Sequence, residues 1–194
     1  MSDLDALAGA RDGNGEAGRT LVERHGPSML RTARSVLGRY AGMEADDVVQ
    51  EALIAALTTP SPPVGDIGAW LRAIAVRKAL DMLRRPALRR EEPLLRLDQH
   101  DAPPPAGSEG GRLNVLQIRQ ALATLSPMDR AVLVLADLEG HSMAEVARIV
   151  GSTRVAVRLR ASRARRKLAR QLRSSGEAAD RRDAPRRRQR GGGR

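Results

Sequence analysis

Apolar positions recur at helical spacing in two separate stretches of the chain. In residues 20–85 and again in residues 113–173, apolar side chains return every three or four positions, which is the period of an amphipathic helix. Between them lies "RRPALRREEPLLRLDQHDAPPPAGSEGGR", whose consecutive prolines and paired glycines sustain neither helix nor strand. The pattern predicts an all-α protein of two small helical domains joined by a Pro/Gly-rich linker.

The two ends of the chain lack this periodicity. Residues 1–17 are small and polar with several glycines, so we predict a flexible N-terminus. Residues 174–194 are rich in arginine and almost without apolar side chains, which predicts a basic disordered tail that adds non-specific DNA affinity. The predicted boundaries are 18–86 for the first domain, 87–112 for the linker and 113–173 for the second domain. Because the linker has few groups that could dock the domains, we expect them to move independently.

The second domain ends with a short helix, a tight turn and a long helix. Ser142 and Glu145 form a capping box, so a helix begins there, and Gly151 ends it about two turns later. Ser152 or Thr153 then caps the longer helix. This is the helix-turn-helix arrangement, whose second helix enters the major groove of DNA.

Charge supports a nucleic-acid partner. The chain carries 34 Lys and Arg against 23 Asp and Glu, a formal net charge of +11, and such a balance favours a polyanion. Every charged side chain in residues 152–173 is Lys or Arg. Arginine contacts guanine through two hydrogen bonds, and the other cations can hold phosphates. We therefore interpret this helix as a DNA-binding helix rather than a solvated basic helix without a ligand.

The first domain contains an acidic helix in "GMEADDVVQEALIAALTT", which has no Lys or Arg. Helical spacing puts Asp47, Gln50, Glu51 and Ile54 on one face. Acids in a first turn also favour the helix dipole. An exposed Ile54 among acids is not explained by that effect, and it favours docking on a basic protein partner.

The next segment, "DIGAWLRAIAVRKALDMLRR", is predicted to be a helix capped by Asp66. Trp70 is interpreted as a packing residue rather than a base-stacking one. The segment also carries a basic set that could follow a phosphate backbone. This set consists of Arg72, Arg77, Lys78, Arg84 and Arg85.

Several functional classes are disfavoured. The chain has no cysteine and its three histidines match no metal spacing, so we expect no metal and no cofactor. We find no phosphate-cradling loop and no nucleophile–base pair, and we expect no enzymatic activity. The sequence has no apolar run of membrane-spanning length and no signal peptide. We therefore expect a cytoplasmic protein without membrane insertion.

The two domains together resemble a bacterial RNA polymerase sigma factor of the extracytoplasmic-function (ECF) type. The resemblance lies in "EADDVVQEALIAAL", "AWLRAIAVRKALDMLRR" and "ALATLSPMDRAVLVLADLEGHSMAEVARIVGSTRVAVRLRASRARRKL", in this order. It implies that the first domain is region 2, a helical bundle that docks on the β′ clamp coiled coil of core RNA polymerase and captures the single-stranded −10 region. The second domain would be region 4, which reads the double-stranded −35 element and contacts the β flap.

The resemblance also assigns residues to these roles. For binding core polymerase it implies Asp46, Asp47, Gln50, Glu51 and Ile54. For −10 DNA it implies Arg72, Arg77, Lys78, Arg84 and Arg85. For −35 DNA it implies Thr153, Arg154, Arg158, Leu159, Ser162, Arg163 and Arg166. An anti-sigma factor is a further partner that the resemblance implies.

The alternative interpretation is a free-standing helix-turn-helix transcriptional regulator. Such a protein would bind DNA through the same basic helix. It would have no need of the acidic "DDVVQE" face, which is the feature that distinguishes the two hypotheses.

Overall fold

The computed structural model describes residues 1–60, 65–85, 118 and 120–183. The described residues form helices and contain no strand. The helices are α1 (Asp3–Arg11), α2 (Gly15–Leu37), α3 (Ala41–Thr58), α4 (Ile67–Arg84), α5 (Pro127–Leu133), α6 (Met143–Val150) and α7 (Arg154–Asp183). A 3₁₀ turn (Gly38–Tyr40) joins α2 to α3, and a π-helical segment (Val134–Leu138) continues α5. The predicted all-α class is confirmed.

In the first domain α2, α3 and α4 pack against one another around a core of small and branched aliphatic side chains. Leu37, Val48, Leu71 and Val76 are fully buried there. The Asp66 side chain accepts a hydrogen bond from the Ala69 backbone N–H and begins α4 as predicted. This packing leaves one face of α3 and one face of α4 exposed to solvent.

The N-terminal residues that we expected to be flexible instead form α1 and the start of α2. Ser2 and Asp5 make a capping box, and Leu7 is buried against the first-domain core. The Arg11 guanidinium donates to the carbonyls of Ala56 (2.9 Å) and Thr59 (2.7 Å). The expectation was wrong because a short helix that is marginal alone becomes stable when its apolar face packs on a neighbour.

Local caps begin and end the helices of the second domain, and the caps predicted for α6 are present. The Ser126 side chain accepts from the Asp129 N–H, with Pro127 at the first helical position of α5. Ser142 and Glu145 form the capping box of α6. Gly151 ends α6 in the left-handed conformation at φ 66°, which glycine adopts without steric cost. These caps set the turn that presents α7.

The two domains pack together, contrary to the expected independence. A single core cluster joins residues of α2 and α4 to residues of α5 and α6. The buried Arg130 crosses the boundary: its Nε donates to the Val36 carbonyl (2.9 Å) and its Nη2 to the Leu37 carbonyl (3.3 Å). Its Nη1 donates to Leu125 of its own domain at 3.0 Å. Both domains therefore share part of their interior.

The last helix is longer than predicted. We placed the start of a disordered tail at residue 174, whereas α7 continues to Asp183. Residues 184–194 and the whole of the predicted linker, residues 87–112, lie outside the described residues. In the described part of the chain, no helix is both long and apolar enough to cross a membrane.

The role of Arg130 can be tested by Arg130→Met. We expect the free energy of unfolding to fall by about 1–3 kcal/mol, because buried carbonyls of Val36 and Leu37 lose their donor. Urea denaturation measures this change. The matched control is Arg160→Met, which removes an exposed arginine from a surface ion pair with Asp129 and should cost less than about 1 kcal/mol. Equal losses in the two variants would contradict the assigned role.

Candidate nucleic-acid interface

Helix α7 has one buried and one exposed face. Val157, Ala161 and Ala164 are buried against the second domain. Helical periodicity turns Val155 and Leu159 to the opposite side, and Val155 is 76% exposed and Leu159 47% exposed. The Thr153 hydroxyl accepts a hydrogen bond from the Ala156 N–H at 3.2 Å and caps the helix. The N-terminal half of α7 is therefore packed on its domain with its outer face open to solvent.

Two acids, one from α5 and one from the π-helical segment, pair with two arginines of α7. Arg160 lies 3.2 Å from an Asp129 oxygen, and Arg165 makes two hydrogen bonds with Asp137, at 2.6 and 3.0 Å. Hydrogen bonding to Asp137 raises the pKa of the Arg165 guanidinium. Residues 152–173 contain no acid, but the structure brings two acids to them from other elements. These two arginines are paired with acids of their own domain, while both side chains remain exposed.

The residues that we assigned to −35 DNA all lie at the surface. Thr153, Arg154, Arg158, Leu159, Ser162, Arg163 and Arg166 are exposed. Arg166 makes long contacts of 3.4 Å with the carbonyl and hydroxyl of Ser162. Within the described residues, Arg154, Arg158 and Arg163 have neither an ion pair nor a hydrogen bond through their side chains. A guanidinium without an internal partner is available to phosphates or base edges.

The residues predicted to bind core polymerase occupy the outer face of α3. Asp46, Asp47 and Gln50 are exposed, and Ile54 is 62% exposed. Glu51 differs from them because it is partly covered and bridges Lys78 (3.5 Å) and Arg85 (3.0 Å) of the α4 segment. The carboxylate of Glu51 is thus shared with two side chains that we assigned to DNA.

The basic set of α4 does not form the single surface that the sequence suggested. Arg77 and Arg84 point outward, with Arg84 held by Asp81 at 2.7 Å. Arg72 lies on another side of α4, where its guanidinium pairs with the carboxylate of Glu139 from the second domain. The structure does not bring Arg72 together with the other four residues, because helical periodicity separates it from them.

Glu139 joins the two domains at this point. Its Oε1 accepts from the Thr32 hydroxyl at 2.8 Å, and its Oε2 accepts from Arg72 Nε. Elsewhere along the contact between the domains, Arg77 Nε donates to the Ile149 carbonyl of α6 at 3.3 Å. An open groove of about 430 Å³ runs along the contact between α2 and the π-helical segment. No local signal in the sequence marks Glu139 or Thr32, because they pair across the two domains.

The fold and these surfaces define a two-domain helix-turn-helix protein that binds DNA. Comparison with known proteins gives the family. The Sigma-70 region 2 family matches residues 21–89, and the Sigma-70, region 4 family matches residues 116–168. The ECF RNA polymerase sigma factor SigM of Mycobacterium tuberculosis is 32% identical over 173 residues, covering 88% of this chain and 85% of that protein.

Two further comparisons agree. The RNA polymerase sigma factor CnrH of Cupriavidus metallidurans is 32% identical over 178 residues, covering 86% of this chain and 92% of CnrH. The structure of CnrH in complex with the cytosolic domain of CnrY superposes with a TM-score of 0.56 at 29% identity, over 89% of this chain and 97% of that chain. The sigma factor RpoE in complex with the anti-sigma factor NepR from Bartonella quintana has the same fold, with a TM-score of 0.62 at 23% identity, over 80% and 96% of the two chains.

The chain belongs to the ECF RNA polymerase sigma factors. It is a promoter-directing subunit of RNA polymerase, and the predicted resemblance is confirmed. The presence of both sigma regions in one chain does not favour the alternative of a free-standing regulator.

The base-reading role of α7 can be tested by Arg158→Ala. We expect discrimination between the matched and mismatched −35 elements to fall by about 1–3 kcal/mol, as for loss of a bidentate contact to guanine. Binding of holoenzyme to a set of −35 variants measures this. The control is Arg160→Ala, whose arginine is engaged by Asp129 and should leave discrimination unchanged. An equal loss of affinity for all sequences on Arg158→Ala would instead indicate a phosphate contact.

The contact between the domains can be tested by Glu139→Ala. Because the pair with Arg72 lies half-buried between the domains, its removal should weaken their association by about 1.5–3 kcal/mol. We expect a larger radius of gyration in small-angle scattering of the isolated chain. Asp81→Ala, which removes an exposed pair with Arg84 inside one helix, should leave the radius unchanged. A compact Glu139→Ala variant would show that the pair does not hold the domains together.

Proposed function

We propose that the outer face of α3 docks on the β′ clamp coiled coil of core RNA polymerase. The observation that carries this proposal is the 62% exposed Ile54 beside exposed Asp47 and Gln50, on a helix with no Lys or Arg. An apolar centre surrounded by acids suits a basic partner, because burial of Ile54 adds affinity and the carboxylates steer the encounter. Asp46 extends this face. Glu51 contributes at its edge while it holds Lys78 and Arg85.

We infer that α4 contacts the single-stranded −10 region through Arg77, Lys78, Arg84 and Arg85. Their exposed or half-exposed positions on one side of α4 support a contact with the phosphate backbone. The shared carboxylate of Glu51 would orient two of these cations beside the polymerase-docking face. In this way core binding and −10 contact occur on adjoining surfaces.

Arg72 joins that set only when the domains separate. In the described state its guanidinium is occupied by Glu139, and Arg77 donates to the Ile149 carbonyl of the second domain. We infer that binding core polymerase and promoter replaces these two contacts with phosphates. A ligand can drive such a change because it binds the open state better than the closed one.

Helix α7 would read the −35 element in the major groove. Its unpartnered arginines, Arg154, Arg158 and Arg163, flank the outward face, while Thr153 caps the helix and Ser162 lies near the centre of that face. The N-terminal residues of a recognition helix meet base edges. We propose that Arg158 contacts a base and that Arg163 and Arg166 contact phosphates.

We expect the protein to act in the cytoplasm, where the polymerase and the chromosome lie, with the β flap as a second polymerase contact. An anti-sigma factor remains a predicted partner. The relative CnrH was solved in complex with the cytosolic domain of CnrY, which supports a further protein partner for this chain.

The docking proposal is tested by Asp47→Arg. We expect binding to core polymerase to fall at least tenfold, because the new cation repels a basic partner, while stability changes little at an exposed position. Binding of labelled sigma factor to core polymerase measures this. Glu23→Arg is the matched control, with the same change of charge on the exposed side of α2, and it should bind normally. Normal binding by Asp47→Arg would contradict the docking proposal.

A further inference from the structure

The outward face of α7 contains two large apolar side chains that nothing in the described structure covers. Val155 is 76% exposed and Leu159 47% exposed. They are four residues apart, so helical geometry stacks them one turn from each other on the same side. The face that buries Val157 and Ala161 lies opposite. Packing of the domain therefore gives no reason for apolar side chains at these two positions.

The charges around the pair indicate what covers it. Arg154 and Arg158 lie on one side of the pair and Arg163 on the other, all exposed and without an internal partner in the described residues. The acids that approach this helix, Asp129 and Asp137, pair with Arg160 and Arg165 instead. An apolar strip bordered by unneutralised cations complements the major groove, where apolar groups lie between two rows of phosphates.

The major groove presents one exposed apolar group, the C5 methyl of thymine. Resting on the assignment of α7 to the −35 element, we propose that Val155 and Leu159 read thymine methyls there, next to the base contacted by Arg158. The two side chains lie in the first two turns of α7, the part of a recognition helix that meets base edges. They thus determine sequence preference by burial of apolar surface, in addition to hydrogen bonds from arginine.

The test removes the methyl without changing base pairing. Holoenzyme first selects its −35 element from DNA randomised at that position, and each thymine of the selected element is then replaced singly by deoxyuridine. We expect at least one replacement to weaken holoenzyme binding about three- to fivefold, as for burial of one methyl group. The double variant Val155→Ala, Leu159→Ala should bind thymine and deoxyuridine DNA equally. Leu138→Ala, which truncates a 69% exposed leucine outside α7, should keep the wild-type preference.

Three results would overturn the inference without overturning the assignment of α7 to promoter DNA. One is a selected element whose thymines can all be replaced by deoxyuridine without loss. Another is a double variant that still prefers thymine, since another group then contacts the methyl. The third is weaker binding of the double variant to core polymerase in the absence of DNA, which would assign the apolar pair to a protein interface. Failure of holoenzyme to select any −35 element would overturn the assignment of α7 to promoter DNA, and with it the inference.

Discussion

The buried guanidinium of Arg130 is the interaction on which the relation between regions 2 and 4 depends. The last carbonyls of a helix have no partner within it, and Arg130 of region 4 donates to those of Val36 and Leu37 at the end of α2. Gly38 belongs to the same arrangement. Its φ is 62°, and a Cβ there would lie 2.8 Å from Arg130 Cζ, so a larger residue would displace the guanidinium as well as strain the backbone. One arginine thus completes a helix of region 2 while it anchors region 4.

The arginines of α7 form two groups, those paired with acids and those without an acid partner in the described residues. Arg160 and Arg165 pair with Asp129 of α5 and Asp137 of the π-helical segment. Arg158 and Arg163 are exposed without such acids, and we assign them to DNA. Net charge attracts the protein to nucleic acid at long range, whereas the placement of a few acids decides which arginines remain for binding. Fewer arginines of α7 are therefore available to bind DNA than the sequence of the helix contains.

Contact between the regions affects the two proposed interfaces of region 2 differently. Asp47, Gln50 and Ile54 are exposed with region 4 in place, so core docking can begin from the closed arrangement. Arg72 is held by Glu139, so its use on promoter DNA requires separation of the regions. In this scheme polymerase binding precedes full −10 contact. That order would limit the affinity of the isolated protein for DNA.

Local signals in the sequence were sufficient for the helices of region 4 and for the character of each surface. Ser142 with Glu145, Asp66 and Gly151 act within a few residues of themselves, and helical periodicity predicted which side of α3 is exposed. The Ser2 and Asp5 capping box was equally local. This box alone was not enough to predict α1, because the helix depends on burial of Leu7 against other helices.

By itself, then, the sequence determined an all-α chain with two helical regions, an acidic α3 and a basic recognition helix, because caps, periodicity and charge are properties of neighbouring residues. Only the tertiary structure decided that the regions share a core, that Arg72 faces Glu139, and that Val155 and Leu159 have no cover. Arg72 and Glu139 are 67 positions apart, and either side chain has many acids or bases it could meet. Which one it meets depends on how every helix between them packs, and no pattern within a single segment contains that information.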